Sequence, residues 1–86
     1  MTRAQEVRHE CLIQLYGSQR IAISADHVHK VAKRGGFAFE LGEVRDALFF
    51  LEGQGFADKT QDPGTGEARY RITSKGTLHY EQTDGD

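Results

Sequence analysis

The sequence predicts an α+β fold, with a three-helix core, a C-terminal β-hairpin and a short final helix. These form one domain over residues 1–80, followed by an acidic flexible tail at 81–86. Three observations predict it. Residues 2–16, 25–34 and 41–54 repeat apolar side chains at i, i+3, i+4 and i+7, and each stretch runs into glycine. After Gly55 the period changes, and ARYRIT at 68–73 alternates strictly. Finally, 86 residues with 37% hydrophobic content, five Phe and three Tyr allow one small core, since a chain of this size buries only roughly 60–65% of its unfolded surface.

Taken in order, the first helix lines up Ala4, Val7, Cys11 and Leu15, with Leu12 on the flank, and ends at Gly17. Ile13 and Tyr16 fall off this stripe. A C-terminal helix lying over them is the preferred account, and a subunit contact is the other. Ile21, Ala22 and Ile23 form a short β-branched run suited to a small edge strand. Ser24 is placed to cap the second helix, with Asp26 in the first turn, where a carboxylate favours the dipole. That helix buries Ala25, Val28, Val31 and Ala32. Its other side carries His27, His29, Lys30, Lys33 and Arg34, and Gly35-Gly36 closes it.

Phe37 and Phe39 lead into the central helix, their rings expected to wedge between helices. Glu40 stands where an N-cap is needed, and Glu43 supplies the acidic half of a capping box. Leu41, Val44, Ala47, Leu48 and Leu51 make the buried stripe. Gly53 and Gly55, able to take left-handed backbone, stop the helix. Gly42, Arg45, Asp46 and Phe49 are left facing outward. Residues 56–60 and 68–73 are the strands of the hairpin, joined by Asp62-Pro63-Gly64-Thr65-Gly66, a pattern suited to a type II turn with glycine third. Tyr70 and Ile72 share one face of the second strand, Arg69 and Arg71 the other. Thr73 or Ser74 caps a last helix carrying Leu78 and Tyr80, and residues 81–86 read as an acidic frayed end.

Charge is close to balanced. Eleven Lys plus Arg face thirteen Asp plus Glu, net −2. Glu81, Asp84 and Asp86 lie in the tail, so residues 1–80 hold eleven bases against ten acids. A body near neutrality neither favours nor forbids a polyanionic partner. With one cysteine, no signal peptide and no long apolar run, the reading is a reduced, soluble, cytoplasmic protein with no membrane segment.

Chemistry-bearing motifs are absent. His27 and His29, two apart on a helix, point about 160° from each other and cannot share an ion, at about 100° per residue. His9 with Cys11 has the same flaw, so no metal is expected. Cys11 sits on the buried stripe and reads as core. There is no Ser/His/Asp arrangement, phosphate loop or dinucleotide fingerprint, so neither enzyme activity nor a cofactor is expected.

Two local motifs carry a resemblance. LFFLEGQGF at 48–56 resembles the end of a recognition helix entering the first strand of a wing, and YRITSKG at 70–76 resembles the second wing strand entering the last helix. Following a helix-turn-helix pattern, they make residues 3–80 similar to the winged helix-turn-helix domains of small bacterial or phage transcriptional regulators. The resemblance implies double-stranded DNA as partner, with the helix at 41–54 in the major groove and the hairpin at 56–73 as wing. It implies that Arg45, with Gly42 and Asp46, meets base edges, because the planar guanidinium fork matches guanine O6 and N7. It implies phosphate contacts from Lys30, Lys33 and Arg34 on the second helix and from Lys59, Arg69 and Arg71 on the wing. One such helix reads few bases, so a homodimer on a two-fold site is expected.

The central helix departs from that pattern. Glu40, Glu43, Asp46 and Glu52 stand against Arg45 alone, and Phe49 points about 140° from the buried stripe at about 100° per residue. An exposed Phe is a common mark of protein contact. A second expectation is therefore a protein-interaction module docking through the acidic helix at 40–52 and Phe49, with Ile13 and Tyr16 as further contact candidates.

Overall fold

Thr2 opens the first helix with a capping box: its hydroxyl accepts from the Gln5 amide at 3.2 Å, and the Gln5 side chain accepts from the Thr2 amide at 2.9 Å. The computed structural model describes residues 2–19 and 21–83. It shows an α+β fold in the order α1 (Arg3–Ser18), β1 (Ile23–Ser24), α2 (Ala25–Arg34), α3 (Leu41–Gly53), β2 (Ala57–Gln61), β3 (Ala68–Ile72) and α4 (Ser74–Thr83). The three strands form one antiparallel sheet in the order β1-β3-β2, so β1 is an edge as expected. Ile23 lies opposite Tyr70, and Ala57 and Lys59 lie opposite Ile72 and Tyr70.

One core runs through all the layers. Val7, Cys11, Leu12 and Leu15 of α1 meet Val44, Ala47, Leu48 and Leu51 of α3. Val28 and Ala32 of α2 close one end, and Tyr70, Ile72 and Ala57 of the sheet close the other. Leu48 is wholly buried, a position where truncation to Ala costs about 2–5 kcal/mol. Cys11 is core too, and burial lifts its thiol pKa to about 12, which keeps it protonated and inert. Ser24 caps α2 by accepting from the His27 amide at 3.2 Å, and Gly36, at φ +93°, turns the chain out of α2. Phe37 and Phe39 stack at 4.9 Å, with Phe39 buried.

Several boundaries differ from the sequence reading. Helix α1 runs through Gly17 to Ser18, and Ala4 of its expected stripe is exposed. The first strand holds only Ile23 and Ser24, while Ile21 is 68% exposed and its amide closes a turn onto Ser18. Helix α3 stops at Gly53, and of the two closing glycines only Gly55 is left-handed, at φ +81°. In the hairpin loop the left-handed residue is Gly66, at φ +74°, so Gly64 is not the third residue of a type II turn. Asp62 reorganises that loop: its carboxylate accepts from the Gly64 and Thr65 amides, and its own backbone pairs with Gly66 and Glu67. Those amide contacts hold the Asp62 carboxyl below its usual range.

Thr73 is the α4 cap, accepting from the Gly76 amide at 3.0 Å and donating to the Gly55 carbonyl at 2.6 Å. Glu81, Gln82 and Thr83, expected to fray, are helical. Tyr16 stacks on Tyr80 at 4.1 Å and donates to Glu81 at 3.0 Å. The aromatic residue left off the α1 stripe is thus covered by the C-terminal helix, the preferred account. The rest of the expected tail, residues 84–86, lies outside the described residues.

Candidate nucleic-acid interface

Helix α2 is displayed by its own amphipathicity. Burying Val28 and Ala32 turns Asp26, His27, Lys30, Lys33 and Arg34 into one exposed stripe, acidic at its N-terminal end and basic over its last turn and a half. Lys33 and Arg34 also favour the C-terminal dipole of α2. None of Lys30, Lys33 and Arg34 makes an ion pair among the described residues. His29 turns the other way, its Nε2 donating to the Phe39 carbonyl at 2.8 Å. It fastens the chain segment that delivers α3 and is therefore separated from His27, as the helical spacing required.

Helix α3 begins at a clamp that the sequence reading missed. Glu43 accepts from the Glu40 amide at 2.9 Å, the acidic half of the capping box. It also receives the Arg3 guanidinium through Nε and Nη2, while Nη2 reaches the Ala38 carbonyl at 2.8 Å. The Arg3 contact first, then the Glu40 amide, brings the Glu43 carboxyl down to about 2. Two of the acids assigned to the central helix thus differ in kind: Glu43 is neutralised by Arg3, and Asp46 is exposed.

The outward face of α3 is the one expected. Gly42, Arg45, Asp46 and Phe49 are all exposed, and Phe49 is 68% accessible. Arg45 makes no ion pair with Asp46 or Glu52. Beside it a groove of about 490 Å³ separates α3 from the start of α2 and from β3. Asp26, Asp46 and Glu67 line it together with Arg45, Phe49, Ala68 and Tyr70.

The hairpin corrects the picture of its arginines. Because Ala68 and Tyr70 line the groove against α3, Arg69 and Arg71, one residue out of phase, occupy the opposite face, across from Thr60 and Asp58. Arg69 is also neutralised, with Asp62 at 3.1 Å and Glu67 at 3.5 Å. Arg71 is exposed on that far face. Lys59, opposite Tyr70, is the hairpin cation on the helix side of the sheet, and it is exposed with no ion pair among the described residues. Of the two α1 contact candidates, Tyr16 is engaged by α4 and Ile13 is half-buried.

Two more residues escaped the sequence reading. Phe50 is half out of the core with the Arg8 guanidinium 3.7 Å from its ring centre. Lys75 donates to the Gln54 carbonyl at 2.9 Å and stands over Phe56. Both are contacts between elements far apart in the chain, for which periodicity gives no signal.

Among the described residues no group of three or more His, Cys, Asp or Glu could hold a metal ion, and no helix is long and apolar enough to cross a membrane. The fold is similar to the crystal structure of SSV1 F-93, with a TM-score of 0.60 and 27% sequence identity over 81% of this chain and 74% of that one. No protein-family model matches the chain. No curated protein matches it either. The helix and strand order, with its three-stranded sheet, is compatible with a winged helix.

Proposed function

We propose that this protein binds double-stranded DNA in winged helix-turn-helix fashion, as a transcriptional regulator acting through a homodimer. Helix α3 enters the major groove with Arg45 toward a guanine edge, and α2 rests along the backbone. Phosphate contacts come from Lys30, Lys33 and Arg34, joined by Lys59 from the hairpin, whereas Arg69 is held by Asp62 and Glu67. The observation that carries this reading is the distribution of unpaired cations. Arg3 and Arg69 are bound to acids, whereas Lys30, Lys33, Arg34 and Arg45 stand exposed, without an ion pair among the described residues, on the two helices such a fold uses. Likeness to SSV1 F-93 supports the fold on which it rests.

The test is fluorescence anisotropy of a mixed-sequence duplex across a salt series. Four phosphate contacts give a log-log slope of roughly −3 to −4, and replacing Lys30, Lys33 and Arg34 by Ala removes about 3 units of it. Affinity no tighter than millimolar at low salt, or a slope unchanged in the triple variant, would overturn the reading.

The groove beside α3 favours a second reading, a protein-docking module. Phe49 is exposed next to Asp26 and Asp46, a surface suited to a basic partner. In that case Phe49→Ser abolishes partner or self-association in light scattering while the circular dichroism spectrum stays native. Association unchanged by Phe49→Ser removes this reading.

A further inference from the structure

On the other side of α3, its last turn, the N-terminal half of α1 and the outer part of α4 enclose an open groove of about 610 Å³. That volume lies within the range of about 300–1,000 Å³ that holds small organic ligands. Its lining is ordered. Leu12 and Leu51 are buried apolar residues at its base. One plate is Phe50 with the Arg8 guanidinium stacked 3.7 Å from its centre. The other is Phe56 against the His79 ring, centroids 4.3 Å apart and planes 13° from parallel. We propose that this groove binds a planar aromatic carboxylate.

The aromatic plates and aliphatic base determine the apolar part of the ligand, a flat ring system that exchanges water for π and methyl surface. Arg8 determines the polar part. It is half-buried, its neighbours along α1 at positions 4, 5, 11 and 12 carry no acid, and it makes no ion pair among the described residues. Stacking on Phe50 presents the plane of the guanidinium while leaving its edge donors in place for a two-pronged contact with a carboxylate. Among the described residues Arg8 is the one arginine in the lining, which also holds His9 and His79, and this matches a singly charged acid. None of these residues belongs to the outward faces of α2 and α3, so the inference goes beyond the DNA reading and does not depend on it.

The test is calorimetric titration of the full chain with 2-naphthoate and with its neutral counterpart 2-naphthamide, and amide mapping by NMR. Naphthoate is expected to bind below about 1 mM and about tenfold more tightly than naphthamide, shifting amides of α1 and α4. Arg8→Gln brings the two affinities together, whereas Arg71→Gln leaves the ratio intact. Should Arg8→Gln lose its native circular dichroism spectrum, the ratio and the mapped amides in the unaltered protein decide alone. Equal affinities, shifts confined to other elements, or no saturable binding would overturn the proposal. So would a dimer, seen by light scattering, that naphthoate dissociates, since the groove would then be filled by a second copy.

Discussion

The two sides of α3 are governed by different physics. Inward, Val44, Leu48 and Leu51 meet the rest of the core at positions fixed by helical periodicity, and their identity is constrained by volume. Outward, Gly42, Arg45, Asp46 and Phe49 meet solvent, and the fold asks nothing of them. Residues that stability does not require are the ones on which a partner's chemistry can be written. The exposed Phe49, one residue along from the wholly buried Leu48, marks the boundary between the two regimes.

That contrast can be broken most sharply at those adjacent residues. Leu48→Ala should lower unfolding free energy in urea by about 2–5 kcal/mol, whereas Phe49→Ser should stay within about 0.5 kcal/mol. Comparable losses would mean that the outward face is part of the core. Gly76→Ala comes next. A methyl group there would run into the Phe56 carbonyl oxygen and lie 2.8 Å from Ile72, so a loss of about 1–3 kcal/mol is expected in the same measurement. A neutral result would show that α4 can slide away from the hairpin.

The smallest effect concerns the Arg3–Glu43 clamp, which borders both regimes. The Glu43 carboxyl titrates at about 2 in the folded chain against an ordinary 4.5, because Arg3 and the Glu40 amide favour its charged form. A folded-state value below the unfolded one stabilises the protein above pH 4.5, and the contribution disappears as pH falls toward 2. The melting temperature should therefore drop more between pH 4.5 and 2 in the native protein than in Glu43→Gln. Parallel curves would assign acid sensitivity elsewhere.

The order of elements was legible because it rests on local pattern. Val28 and Ala32 mark α2, Ser24 caps it, and the alternation of Tyr70 and Ile72 with Arg69 and Arg71 orients β3. The sequence also pointed to the outward face of α3. What it concealed was which cations are free. Arg3 and Glu43 are forty residues apart, and only folding brings them together. Phe50 lay outside the expected buried stripe because its cover, Arg8, comes from another helix. The fate of Arg69 could have been read, since Glu67 is two residues away in a segment that alternates faces, and Asp62 stands in the turn beside it. The turn differs from its local pattern for a related reason: Asp62 organises a longer loop, and the left-handed position falls at Gly66 and not at Gly64.

The Phe56 carbonyl accepts from the Thr73 amide at 3.0 Å and lies against Gly76, while the Thr73 hydroxyl spans to the Gly55 carbonyl. The exit of α3, both roots of the β-ribbon and the first turn of α4 therefore form one rigid knuckle. A molecule that tilted α4 would drag the ribbon with it, as a lever turns about a fixed pin, without any change inside α3 itself.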